Sequence, residues 1–393
     1  MNTHPVSLPL EARAYAALRA LSHLGREALE EGEPVLLPLN LGLNDGTYMA
    51  EACVGVLRKS LHRAALRNYP SAGNDELKRA IARVDGVAPE NIFLHNGSGP
   101  ILKQIIPALI KREIMSSPVR IARHLAFKNG YPIITPLFTY GKVPGKAADQ
   151  GLTVHAMATG PDQGFRVTAD QIEVHLKKQD GLVYIVNPNN PSGNVMIDRA
   201  ELEPLFAKYP NSVFWVDEAY VQYCDPSHEL FAPLVPKYPN LFVSRTFSFA
   251  YGLAAAKVGY VLGEPEFLKS EEKKLTDYRI GKLNEELCVA ALGDPDHLPW
   301  LRRVCADQRA VIAERLGHHG IEVFPSVTNF VLCRFTDNRT GADLKAKLAE
   351  RKIAIKVMSP FAGTRFDSYF RVTLGLAHEN QYFLDAVDEV LGG

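Results

Sequence analysis

Leu182-Val183-Tyr184-Ile185-Val186-Asn187-Pro188-Asn189-Asn190-Pro191-Ser192-Gly193 is the stretch that decides the fold. An apolar run is followed at once by turn formers, which reads as a buried strand ending in a loop. Val213-Phe214-Trp215-Val216-Asp217-Glu218-Ala219-Tyr220 repeats the arrangement, with an acidic pair closing the apolar run. Helical patterns alternate with such runs along the chain, so it reads as α/β with a mostly parallel central sheet. Loops at the strand ends of such a sheet converge on one crevice, the usual ligand site. An Asp at a strand end is, by itself, an ordinary cap or turn residue. The order of several such features along the chain carries the reading.

Upstream, His95-Asn96-Gly97-Ser98-Gly99 precedes an apolar helical pattern through Ile101, Ile105, Ile106 and Leu109. Small residues opening a helix suit a phosphate, because free N–H groups and the helix dipole point at it. Acidic and basic residues balance at 44 each over 393 residues. No basic stripe therefore argues for nucleic acid, and no charge block for a disordered tail. The start, Met1-Asn2-Thr3-His4-Pro5, lacks a basic end followed by an apolar stretch, and no run approaches transmembrane length. A cytoplasmic protein away from membranes is expected. Cys53, Cys224, Cys288, Cys305 and Cys333 are scattered without zinc-like spacing, so reduced thiols and no metal are expected. A large domain is expected over residues 50–290, helices flanking its sheet. Residues 1–49 and 291–393 would form an N-terminal arm, helical over Ala12–Leu29, and a smaller α+β domain. Pro38–Tyr48 reads as a loop near the substrate, and the charged stretch Pro265–Asp277 as the start of the connection out of the large domain.

Taken in order, these motifs resemble the class I/II aminotransferases, pyridoxal-phosphate (PLP) enzymes of fold type I such as the histidinol-phosphate and aspartate aminotransferases. Asn187–Gly193 is similar to the family's N-P-N-N-P-T-G, and Val213–Tyr220 to its strand ending in D-E-A-Y. The resemblance implies that Asn190 and Tyr220 contact the phenolic oxygen of PLP and that Asp217 pairs with the pyridine nitrogen. It implies that Gly97 and Ser98 hold the phosphate, with Thr246 and Ser248 also on the cofactor. Pro136-Leu137-Phe138 resembles P-T-Y, which would stack Phe138 on the pyridine face. Asn68-Tyr69-Pro70 resembles the N-Y-P whose tyrosine reaches the neighbouring subunit's phosphate, which implies a homodimer. Tyr369–Gly375 resembles Y-L-R-I-T-V-G, so Arg371 would grip a substrate α-carboxylate in a bidentate pair, with Asn329 beside it.

Ser244–Tyr260 resembles the family's lysine loop, T-F-S-K-A-Y-G-L-A-G-L-R-V-G-Y, with two departures that bear on the chemistry and a small-residue change at Ala255, where the family has Gly. Phe249 stands where the family has the Schiff-base lysine, and Lys257 where it has a phosphate-binding arginine. A phenyl ring has no nitrogen, so it forms no imine and moves no proton. Loss of a general base commonly lowers rate about 10²–10⁴-fold. Lys257 still attracts phosphate but lacks the bidentate fork. Three functions remain open. The chain is an enzyme that binds PLP or pyridoxamine phosphate (PMP) non-covalently, acts on an amino or keto acid, and moves the proton with Tyr251, Lys257 or a water. Alternatively it is a partner subunit, in a heterodimer with an active paralogue. Or it is a PLP-independent enzyme using the same crevice. The plain alternative for Phe249 is a ring filling the space of a discarded catalytic group, the other motifs persisting as structural hydrogen bonders.

Overall fold

The computed structural model describes residues 35–62, 73–275, 280–358 and 366–392. The expected N-terminal helix and Tyr69 lie outside the described residues. The strand predicted at Leu182 is Leu182–Val186, in the interior of a seven-stranded sheet. From one edge the order is Ile92–His95, Gly259–Leu262, Leu241–Thr246, Val213–Asp217, Leu182–Val186, Ile133–Pro136 and Val154–Met157. The last five run parallel. Gly259–Leu262 is antiparallel to both neighbours, so the sheet is mixed, with one reversed strand.

Successive side chains of a strand point to opposite faces. Val183, Ile185, Phe214, Val216 and Val243 pack on one face, among Leu77, Leu202, Phe206 and Leu287 of helices covering it. Tyr184, Val186, Trp215 and Phe242 pack on the other, among Ile101, Ile105, Leu109 and Phe267. Both faces are dry, which is why these strands read as unbroken apolar runs rather than as alternating ones. The apolar pattern from Ile101 lies on the helix Ser98–Met115 and is buried along its length.

A second, antiparallel sheet has the order Lys356–Val357, Tyr369–Thr373, Phe330–Phe335, Ile321–Val323. The helices His297–Gly317 and Ala377–Leu391 cover it through Ile312, Leu316, Phe383 and Val387. Pro38–Tyr48 is mostly irregular, apart from Leu39–Asn40, which pairs parallel with Ile353–Ala354. The stretch from Pro265 does not leave the first sheet at once. Its helix, Pro265–Glu272, buries Phe267 and Leu268 against that sheet. The chain then returns along Lys282–Leu292, packed on the opposite face through Leu287 and Cys288. Apolar anchors inside a charged segment decide its place.

Candidate active site

Asp217 ends its strand, and pairing sets Ser244 beside it on the next one. The carboxylate is 4% exposed. Ser244 donates to Oδ1 at 2.9 Å and Tyr184 to Oδ2 at 3.2 Å. Burial pushes the carboxyl up from its ordinary 3.8 to about 6, against the pull of these hydrogen bonds. Asp217 forms no ion pair among the described residues. It is a buried anion held by hydroxyls and lacking a cation.

Beyond this strand end lies Tyr220. Its oxygen accepts from Asn44 Nδ2 at 3.0 Å and from Asn190 Nδ2 at 3.2 Å. The amide orientations follow from their other partners. Asn44 Oδ1 accepts from Thr373, and Asn190 Oδ1 accepts from Arg371. With two donors already on its oxygen, the Tyr220 hydroxyl keeps its own proton to donate. Burial pushes it up to about 12, opposed by the nearby Arg371 cation.

Arg371 is buried in its strand, 6% exposed. Nη1 donates to Asn190 Oδ1 at 2.6 Å and Nη2 to the Gly42 carbonyl at 2.7 Å. Nε is buried and unpartnered, and no carboxylate pairs with the guanidinium among the described residues. A buried, hydrogen-bonded, uncompensated cation is a receptor for an anion. Asn329 serves it at one remove. Its Nδ2 donates to the carbonyls of Asn44 at 3.1 Å and Asp45 at 3.3 Å, which fixes the loop that reaches both Tyr220 and Arg371.

Phe249 closes the other side. Its ring lies on that of Tyr220, centroids 4.6 Å apart and planes 10° from parallel. The loop around it is clamped at its backbone carbonyls. His297 Nε2 is 2.6 Å from the Ala250 carbonyl, and Gly46 N–H donates to the Ser248 carbonyl at 3.3 Å. A Cβ at Gly46 would stand 1.8 Å from the Phe249 carbonyl oxygen. Gly46→Ala is therefore expected to lower unfolding stability by about 1–3 kcal/mol, the usual effect of overpacking. Urea unfolding of the variant checks this.

Thr246, Ser248, Gly97, Ser98 and Lys257 gather at the neighbouring strand ends. Thr246 pairs with Gly259, which pairs in turn with His95. The Thr246 and Ser248 hydroxyls are 3.0 Å apart. Gly97 has φ 94°, and Ser98 begins its helix. A Cβ at Gly259 would come within 2.5 Å of the Ser98 nitrogen, so only glycine lets the strand approach this turn. Lys257 is exposed in the left-handed region at φ 56°, its carbonyl bordering Gly97. Its position is at the helix N-terminus, not beside Asp217.

Two residues singled out in the sequence lie elsewhere. The Phe138 ring stacks on Phe366 at 4.7 Å and on Phe165 at 5.2 Å, in a closed aromatic cluster. Tyr251 is buried against Phe247 and His297, its hydroxyl pushed up by burial and by the charge of Asp85. The residue facing the crevice is Tyr140, half-buried. Burial and the Asp217 charge push its hydroxyl up to about 12, against the pull of Arg371. Sequence reading missed Tyr140, Tyr184, Ser244 and Asn44. For Tyr140 a signal existed, since tyrosine suits a wall with one wet edge better than phenylalanine does.

A mostly parallel sheet with this crevice at its strand ends defines an α/β enzyme-type scaffold. The family model for aminotransferase class I and II matches residues 38–387, and the chain belongs to that family. It is 33% identical over 359 residues to histidinol-phosphate aminotransferase 1 of Methylococcus capsulatus, covering 90% of this chain and 92% of that one. It is 31% identical over 386 residues to histidinol-phosphate aminotransferase 1 of Cupriavidus pinatubonensis, covering 96% and 94%. The fold matches the solved histidinol-phosphate aminotransferase of Sinorhizobium meliloti in complex with pyridoxal-5'-phosphate, with TM-score 0.73, 23% identity and 99% of each chain covered. It also matches a putative one from Erwinia carotovora atroseptica, with TM-score 0.76, 21% identity, and 91% of this chain and 98% of that one covered. The architecture is PLP fold type I. Among the described residues no helix is long and apolar enough to cross a membrane, and no cluster of His, Cys, Asp or Glu could hold a metal. All five cysteines are buried and free.

Proposed function

We propose that this aminotransferase-family chain binds PLP or PMP without a covalent link and acts on an amino or keto acid by a lysine-independent route. The observation that carries the reading is Asp217, a buried carboxylate without a cation. A protonated pyridine nitrogen supplies the missing charge. Asn190 and Tyr220 then face the phenolic oxygen, Tyr220 donating its free proton to it. Gly97, Ser98, Thr246, Ser248 and Lys257 hold the phosphate at the helix N-terminus. When bound, such a cofactor draws electrons from the substrate carbon.

The lysine-independent part rests on Phe249. It occupies the family's lysine position by resemblance and brings a phenyl ring against Tyr220. Tyr140 walls the crevice in place of Phe138. Tyr251, buried behind the loop, is left out of the proton route, and Lys257 belongs to the phosphate end. With the Tyr220 proton held on the phenolic oxygen, the transferred proton is carried by a water. Arg371 takes the substrate carboxylate, its unpartnered Nε being the donor left open by Asn190 and Gly42. The named relatives act as histidinol-phosphate aminotransferases. We carry over from them the scaffold and the cofactor class, and leave the substrate at an amino or keto acid. A cytoplasmic homodimer, with Tyr69 reaching the partner's phosphate site, completes the proposal.

Titration of the cofactor-stripped protein with PLP and PMP, followed by absorbance and thermal stability, tests it. Saturable binding, reversed by dialysis and leaving no borohydride-reducible link, is expected. Absence of binding overturns the proposal. With PMP bound, Arg371→Ala is expected to weaken keto-acid affinity roughly ten- to a hundredfold, the weight of hydrogen bonds to a charged group. PMP affinity itself should hold, and titrating the absorbance change with keto acid reads both.

A further inference from the structure

We propose that the groove between the helices Ser98–Met115 and Lys142–Asp149 is a binding site for an unbranched, medium-chain carboxylate. The two helices face each other with Leu102, Ile106 and Ile110 on one side and Val143 and Ala147 on the other. The cavity in the groove measures about 90 Å³. Along the first helix the lining runs from Gly99 to Ile110, roughly 16 Å at the α-helical rise. None of Asp217, Asn190, Tyr220 and Arg371 lines it, so it is distinct from the crevice.

Its rim decides the occupant. Lys103, Lys142 and Lys146 stand exposed around the apolar floor, and no Asp or Glu lines the groove. None of the three lysines forms an ion pair among the described residues. An apolar trough with a ring of unpaired ammonium groups complements an apolar chain with an anionic head. A cationic amphiphile meets repulsion there, and an uncharged chain leaves the ammonium groups without a counter-charge. The length of the lining, roughly 16 Å, suits an extended medium chain.

Calorimetric titration of the full chain with hexanoate, octanoate and decanoate, all below micelle formation, tests this. One saturable site is expected, tightening about fourfold per added methylene, as ~0.8 kcal/mol for each buried CH₂ implies. Decanol and decyltrimethylammonium should bind more weakly than decanoate. Ile106→Trp fills the trough and should abolish decanoate binding. Lys146→Glu, at an exposed position, should weaken it about fivefold, the weight of one exposed ion pair. Both variants should keep the PMP titration of the parent. Equal binding of decanoate and decyltrimethylammonium overturns the proposal, as does decanoate affinity indifferent to Lys146→Glu. If Ile106→Trp unfolds the chain, Lys146→Glu and the chain-length series carry the decision.

Discussion

Phe249→Lys is expected to give the protein a borohydride-reducible covalent link to PLP that the parent lacks. The Phe249 ring lies flat on Tyr220 at 4.6 Å, and its loop is held at two of its own backbone carbonyls, Ser248 by the Gly46 N–H and Ala250 by the His297 ring. A lysine side chain is thinner than the ring and leaves those backbone contacts untouched. Its amine emerges beside Tyr220, near the edge of whatever ring pairs with Asp217. Losing the aromatic stack should lower stability by about 0.5–1.5 kcal/mol, which a folded domain tolerates. After reduction, mass spectrometry of the digested variant should find the pyridoxyl phosphate adduct on residue 249. A folded variant without that adduct would mean that the cradle formed by Asp217, Asn190 and Ser98 no longer seats the cofactor.

Asp217 and Asn190 were legible because each follows an apolar run at a point where the chain must turn. Strand ends of a parallel sheet meet at one edge, so the two were bound to approach. Arg371 was legible only through resemblance, since an arginine in a strand has no local signature. Tyr184 and Ser244 were not legible. Both lie inside apolar strands and read as core, and only the pairing register sets Ser244 opposite Asp217. Asn44 comes from a segment 176 positions before Tyr220, held by Thr373 and Asn329. Phe138 was expected on the cofactor, but Phe165, Phe324 and Phe366 from distant segments draw it into their own cluster. Tyr251 failed for a local reason. The turn at Gly252, with φ 64°, sends the chain back beneath the loop. Spacing alone cannot reveal which side of a loop a side chain takes.

Asp217→Asn is expected to separate stability from binding, in opposite directions. The parent carboxyl titrates at about 6 instead of 3.8 because it is buried. The folded state therefore holds its proton more tightly than the unfolded chain does. Stability from this group is greatest at low pH and is lost as pH rises from about 4 to about 6. Above pH 6 the buried charge weighs roughly 3 kcal/mol against the ligand-free protein. Asparagine has no charge to bury, so the ligand-free variant should be more stable than the parent at pH 7 and lose this pH dependence. Ser244 and Tyr184 can each turn their hydroxyls to suit the amide. Binding should move the other way. A protonated pyridine nitrogen gains most from an ionised partner, and removing one member of such a buried pair weakens binding by about 2–5 kcal/mol, some thirtyfold to several thousandfold. In the parent, PMP affinity should fall about tenfold per pH unit below pH 6, as ligand and proton compete for one carboxylate. In the variant that slope should vanish. Thermal unfolding and PMP titration from pH 5 to pH 8, run on both proteins, read the two effects together. A variant that matches the parent in affinity would remove Asp217 from the cofactor and return it to a structural role beneath the crevice.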